Sequence, residues 1–143
     1  MKKVKQLLEG KSGSVWSVRP DDTVLSALEV LAAKGVGALV VMDGSTLVGI
    51  LSERDYARKV ALRGKSSLDT KVADIMVEDV LFVTAEQTSE ECMGLMSSRR
   101  IRHLPVLDQG RVIGMLSIGD LVKNLLEEQK STIEHLEQYI RGN

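Results

Sequence analysis

The chain has one cysteine, two prolines and few aromatic residues (one Trp, two Tyr, one Phe) among 143, and its charges nearly cancel at a formal −1. A single Cys92 excludes an internal disulfide. Its neighbours Met93 and Met96 read as a buried helix face, so a small core side chain is expected rather than a reactive thiol. So few aromatics leave no stacking platform for nucleic-acid bases, and balanced charge leaves no global field toward nucleic acid or anionic lipid. The longest unbroken apolar runs, such as Val36 to Met42, cover six to seven residues, against the roughly 20 that a membrane-spanning helix needs. Met1-Lys2-Lys3 leads into no signal-like apolar core, so a cytoplasmic protein without a membrane partner is expected. Catalytic signatures are missing too. There is no G-x-x-x-x-G-K-[ST] loop and no H-E-x-x-H, and His103 and His135 have no nearby carboxylate or cysteine grouping of metal-site type. Gly35-Val36-Gly37 begins a dinucleotide fingerprint, yet Leu39 and Val40 stand where its third glycine belongs. No catalytic residue, no metal and no catalytic cofactor is expected, and the chain is not read as an enzyme.

What the sequence does contain is itself, twice. A shift of 65 residues places Val15 on Val80, Val18 on Val83, Thr23 on Thr88, Leu39 on Leu104 and Val41 on Val106, without a gap. Asp43, Gly49, Leu51, Ser52 and Asp55 fall likewise on Asp108, Gly114, Leu116, Ser117 and Asp120. Two long copies do not make a solenoid, which needs three or more short units. They predict two half-domains packed face to face about an approximate two-fold axis, with the same residues shown twice at the seam.

Periodicity sets the order within each copy. Val4, Leu7 and Leu8 predict a short N-terminal helical arm (residues 1–10) that stops at Gly10, and Lys11 to Ser14 reads as a loop. In the first copy (residues 11–64) a strand is expected at 15–18 and a helix with Leu25, Leu28 and Leu31 on one face, closed by Gly35. Strands at 37–42 and 46–51 flank the turn Asp43-Gly44-Ser45, and a helix follows from Ser52 to about Leu62. Residues 65–79 read as a linker whose Val72 to Met76 leads into the second copy. That copy (residues 80–126) repeats the order with a strand at 80–83, a helix at 88–99, strands near 102–107 and 111–116, and a helix from Ser117. The fold class is thus α/β (α+β): two β-α-β-β-α repeats packed through their sheets, with a short N-terminal and a long C-terminal helix. In the extension (residues 127–143) Ile133, Leu136 and Ile140 carry on an apolar stripe from Leu121, Val122, Leu125 and Leu126, which needs a partner. Packing of stripe and arm against a second chain is expected over packing within the chain.

Gly49-Ile50-Leu51-Ser52-Glu53-Arg54-Asp55 recurs as Gly114-Met115-Leu116-Ser117-Ile118-Gly119-Asp120, a G-x-L-S-x-x-D pattern at a strand-to-helix junction. Serine followed three residues later by aspartate is first of all a capping box that satisfies free amides at a helix start. The same start presents N–H groups and a positive dipole end to a phosphate, which Ser52 or Ser117 would help bind. An aspartate there repels phosphate but suits the two hydroxyls of a ribose one step away.

Two β-α-β-β-α repeats that each end in this pattern, with Asp74-Ile75-Met76 before the second and Arg102-His103-Leu104-Pro105-Val106 within it, resemble a tandem pair of cystathionine-beta-synthase (CBS) domains over about residues 10–125. The resemblance implies a Bateman module: regulatory, often dimeric, binding AMP, ADP, ATP, NAD or S-adenosylmethionine between its halves. It implies that Asp55 and Asp120 hold ribose hydroxyls, that Ser52 and Ser117 stand near phosphate, that Arg54 strengthens the first site, and that Arg102 and His103 reach phosphate. Val15, Trp16, Val36, Gly37, Ile50 and Met115 would wall the adenine. Arg54 has Gly119 as its counterpart, which breaks the equivalence of the two sites.

For Trp16 core packing is expected over base contact, while His103 is open to ligand contact or surface packing. The sequence reading is a stand-alone energy or redox sensor in signal transduction, a homodimer that binds an adenine nucleotide and acts on a regulated protein. A ligand-free dimeric adaptor, whose G-x-L-S-x-x-D turns are only caps, is the alternative. A nucleic-acid binder using the cluster from Arg99 and Arg100 through Arg102 to His103 is the weaker one.

Overall fold

The computed structural model describes residues 2–11 and 15–142. The loop expected from Lys11 therefore lies outside the described residues from Ser12 to Ser14, as does Asn143. Helix α1 (Val4–Glu9) comes first, followed by β1 (Ser17–Val18), α2 (Val24–Lys34), the hairpin β2 (Ala38–Asp43) and β3 (Thr46–Ser52), and α3 (Glu53–Tyr56). A single π-helical turn, Ala57–Ala61, extends α3. Then come α4 (Val72–Ile75), β4 (Val83–Thr84), α5 (Ser89–Arg99), the hairpin β5 (His103–Asp108) and β6 (Arg111–Ser117), and α6 (Ile118–Ile140).

The duplication holds in three dimensions. Each copy builds a three-stranded sheet, ordered β1-β2-β3 or β4-β5-β6, in which a parallel pair adjoins an antiparallel hairpin. Val18 pairs with Val41 and Val83 with Val106, and the same bulge follows Val41 and Val106. The strand expected at 80–83 forms only at Val83–Thr84, and Val15 and Trp16 precede β1 rather than belonging to it. Gly35 ends α2 in the left-handed conformation (φ 64°), and Arg100 takes that conformation at the end of α5 (φ 54°). The copies pack through their sheets, with β3 and β6 meeting at the seam.

There are two cores, and each borrows a piece from beyond its own repeat. Leu39, Val41 and Leu51 gather with Val72 and Ile75 of α4, while Leu104, Val106 and Leu116 gather with Val4 and Leu7 of α1. The helix before the first copy thus seals the second, and the helix before the second seals the first. Their main chains dock alike. Val4 N–H donates to Gln87 and Ser89 N–H to Lys2, just as Val72 N–H donates to Asp22 and Val24 N–H to Thr70. Sequence spacing alone assigned α4 to the second copy and offered α1 to a partner chain. Burial decides otherwise, since Val4 and Val72 are fully buried and each such side chain stabilises by roughly 1.5–3 kcal/mol. Cys92 is buried in the second core, and desolvation, aided by the Glu91 charge, pushes its thiol pKa up to about 11.

Candidate functional site

Both G-x-L-S-x-x-D corners form closed capping boxes. At the start of α3 the Ser52 Oγ accepts from Asp55 N–H at 3.2 Å, and Asp55 Oδ2 accepts from Ser52 N–H and from its hydroxyl, each at 2.9 Å. At the start of α6 Ser117 Oγ accepts from Asp120 N–H at 3.2 Å, and Asp120 Oδ2 accepts from Ser117 N–H at 2.8 Å. The capping reading of the sequence is therefore correct for both.

The motif glycine has its own reason. A Cβ on Gly114 would lie 2.6 Å from Cδ2 of Leu8, and one on Gly49 would lie 2.6 Å from Sδ of Met76 and 3.1 Å from the Val77 carbonyl. The exchanged helices press on the two strands at these points, so no side chain fits.

Beyond the caps the corners part. Asp55 Oδ1 faces Lys59 Nζ at 3.3 Å, four residues on in the same helical segment, and that ammonium also donates to the Ile75 carbonyl at 2.9 Å. Ile50 exchanges two backbone hydrogen bonds with Val77. This corner is tied down by the linker. Asp120 instead pairs with Lys11 at 2.8 Å, and Lys11 Nζ also donates to the Met115 carbonyl at 2.7 Å. Lys11 follows α1, so the packing of α1 on the second copy delivers this cation to the second corner. Burial pushes the Asp120 carboxyl up, but the Lys11 ammonium and the Ser117 hydrogen bonds outweigh it and hold the pKa below its usual value.

A cleft of about 400 Å³ opens beside that corner, between the two copies. Asp120, Ser117 and Lys11 form one side, and Val15, Trp16, Val36 and Gly37 of the first copy form the other. Met115 and Ile113 contribute from β6, and His103 reaches in from β5. His103 would stand 3.2 Å from a Cβ on Gly37, so the glycine permits the halves to close there. Its imidazole is held neutral to lower pH than usual, first by burial and then by the Lys11 charge. Trp16 is 37% exposed with the Lys34 ammonium 4.2 Å above its ring, an arrangement that orients the indole as a wall of the cleft rather than as core.

The sequence reading expected two related sites. The fold brings Val15, Trp16, Val36, Gly37, His103, Met115, Ser117 and Asp120 to one cleft, while Ile50, Ser52, Arg54, Asp55 and Arg102 are not part of its lining. Arg54 and Arg102 are exposed, and the Arg102 carbonyl accepts from Ile118 N–H. Sequence reasoning missed Leu8, Lys11, Lys34 and Ile113 as lining residues. A signal for Leu8 was present: Lys3-Val4 and Leu7-Leu8 repeat as Lys71-Val72 and Ile75-Met76 at a spacing of 68, three more than the main repeat, whereas Lys11 falls on Asp79. Among the described residues no group of acidic, His and Cys side chains is arranged to hold a metal ion, and no helix is long and apolar enough to cross a membrane.

The CBS-domain family model matches residues 11–62 and 72–127, one match per copy. A CBS domain-containing protein of Arabidopsis thaliana, CBSX3, described as mitochondrial, is 43% identical over 141 residues, 94% of this chain and 68% of its own length. The solved CBS-domain structure of NE2398 is 50% identical with a TM-score of 0.84, covering 87% of this chain and 98% of that one. The CBS-domain protein ATU1752 of Agrobacterium tumefaciens is 38% identical with a TM-score of 0.82, covering 86% and 98%. With one family match on each half and the same order of strands and helices in both repeats, the chain belongs to the CBS-domain family as a tandem pair.

Proposed function

We propose that this CBS pair is a regulatory module that binds one adenine nucleotide (AMP, ADP, ATP or NAD) in the cleft of the second corner and acts as an energy or redox sensor in signal transduction. The carrying observation is the polarity of that cleft: a carboxylate at a helix start, cations beside it, and an apolar wall with a tryptophan opposite. On this reading Asp120 takes the ribose hydroxyls, Lys11 and Lys34 the phosphate, and Val15, Trp16, Val36 and Met115 the base. His103, neutral near pH 7, donates or accepts a hydrogen bond there without adding charge. The volume falls in the roughly 300–1,000 Å³ range of small-molecule sites. The CBS domain pair of protein MJ0100, which shares the fold at 22% identity, was solved with 5′-methylthioadenosine and S-adenosyl-L-methionine, both of which carry an adenosine moiety. The unpaired thiol of Cys92 suits a reducing compartment such as the cytoplasm, and the module is read as a homodimer that reports to a regulated protein rather than as an enzyme.

Calorimetric titration with AMP, ADP, ATP and NAD, after removal of any co-purified ligand, tests this. Saturable binding of one nucleotide per chain is expected; silence across the whole panel abandons the sensor. A second reading has its own support: both caps are complete and Lys11 already answers Asp120, so the fold does not need a ligand for stability. Under that reading the chain is a ligand-free dimeric adaptor.

A further inference from the structure

We propose that two copies of this chain associate by antiparallel pairing of α6, the end of each helix seated in a groove at the base of the other. This rests on the homodimer reading and supplies its surface. From Gln129 to Gly142 every residue of α6 and its end is exposed, so the helix projects beyond the body of the protein. Along it Val122, Leu126, Gln129, Ile133, Leu136 and Ile140 follow one another at intervals of four and three residues. This is the 3.5-residue seam by which helices pair. Its apolar members are open to solvent: Leu126 at 60%, Ile133 at 56%, Leu136 at 57% and Ile140 at 82%. An isolated amphipathic helix does not leave such a row unpaired without cost.

The other half of the fit lies at the base of the same helix. A groove of about 390 Å³ runs over Gly119, Val122 and Leu126, flanked by Lys123, Glu127 and Lys130. Gly119 in its floor stands where the first copy has Arg54. An antiparallel pair crossing near residue 131 sets Val122 against Ile140 of the second copy, Leu126 against Leu136, and Gln129 against Ile133, and brings Tyr139 and Ile140 to the groove. Every seam residue is then used twice, as a closed two-fold interface requires.

Charge selects the direction. Residues flanking the seam on one side are Lys123, Lys130 and Glu137, and on the other Leu125, Thr132 and Tyr139. Parallel helices would set the two sides against each other and pair no opposite charges. In the antiparallel arrangement Lys123 faces Glu137 of the second copy, twice. The two Lys130 ammonium groups meet at the exposed crossing, where repulsion is weak. A register shifted to put Lys130 on Glu137 removes that contact but leaves Val122 and Leu126 in water, the larger loss.

Sedimentation equilibrium of the full chain tests the seam. Leu136→Asp is expected to raise the dimer dissociation constant roughly a hundredfold or more, while circular dichroism shows the fold intact. Lys123→Glu and Glu137→Lys should each weaken the dimer, and the double variant should recover it. Lys130→Cys should cross-link to itself on oxidation, since the native Cys92 is buried, and Glu137→Cys should not. A Leu136→Asp chain that remains dimeric overturns this seam but keeps the homodimer reading, and a wild-type chain that stays monomeric at all concentrations overturns both.

Discussion

The corners at 52–55 and 117–120 share a sequence pattern, a cap and a backbone, yet their aspartates are answered from different places. Asp55 meets Lys59 from its own helical segment, so the pairing is local, and the same ammonium donates to the Ile75 carbonyl. Asp120 has Asn124 at the position of Lys59, and that residue is buried and donates to Glu128 instead. The cation at Asp120 arrives from Lys11, 109 residues away in sequence. A duplicated motif therefore fixes the local cap but leaves open what the carboxylate is for. Under the proposed function the Asp55 corner, whose counter-ion is covalently near, is structural. Under the same proposal the Asp120 corner, whose counter-ion comes from a crossing arm at a cleft, exchanges that lysine for ligand hydroxyls.

The comparison can be broken most sharply with Asp120→Ala and Asp55→Ala. Each loses one arm of a capping box and should lower stability by about 0.5–2 kcal/mol, followed by urea unfolding. Only Asp120→Ala should weaken AMP in calorimetry, by roughly tenfold or more, as for a charge-assisted hydrogen bond. Equal losses of affinity in the two variants would restore the two-site reading. Next come the glycines. Gly49→Ala and Gly114→Ala both overpack, at about 1–3 kcal/mol, and Gly49→Ala should cost more. Beneath it lies the Val77 carbonyl as well as a side chain, whereas Leu8 has only methyl and methine groups to move.

The smallest effect sharpens the electrostatics. In Lys11→Met, NMR titration should find the pKa values of Asp120 and His103 both raised, because the ammonium that lowers each is gone. In the wild type a depressed Asp120 gives stability that is complete above the unfolded carboxylate pKa and is lost as pH falls through the folded value. The depressed His103 acts on a different window: folding is disfavoured as pH drops below the unfolded imidazole pKa, because the buried ring resists its proton. The variant should lose the Asp120 contribution at higher pH and suffer less from His103. A His103 pKa unmoved by Lys11→Met would mean that the Lys11 charge does not reach it.

The repeats, the hairpins, the capping boxes and the family were legible from residues because each depends on short-range chemistry: alternation in strands, Ser and Asp at helix starts, a turn at Asp43-Gly44. Half of the cleft was legible as well, in Trp16, Val36, His103 and Asp120. The exchange of α1 and α4 was not, since a short amphipathic helix states that it must be buried but not where, and two cores of matching shape competed for it. Lys11 and Lys34 escaped for the same reason, being ordinary charged residues until a crossing helix and a neighbouring ring give them positions.

By itself the sequence determined that there are two like halves and that each turns its acidic corner at a helix start, because duplicated local patterns must fold alike. Arg54 opposite Gly119 already marked the corners as unequal; that a distant lysine answers one aspartate and a helical neighbour the other emerged from the packing. Which lead-in helix seals which core is settled by the burial of Val4 and Val72, and that choice carries one lysine to one aspartate and sets Leu8 and Lys11 in the lining of the cleft beside it.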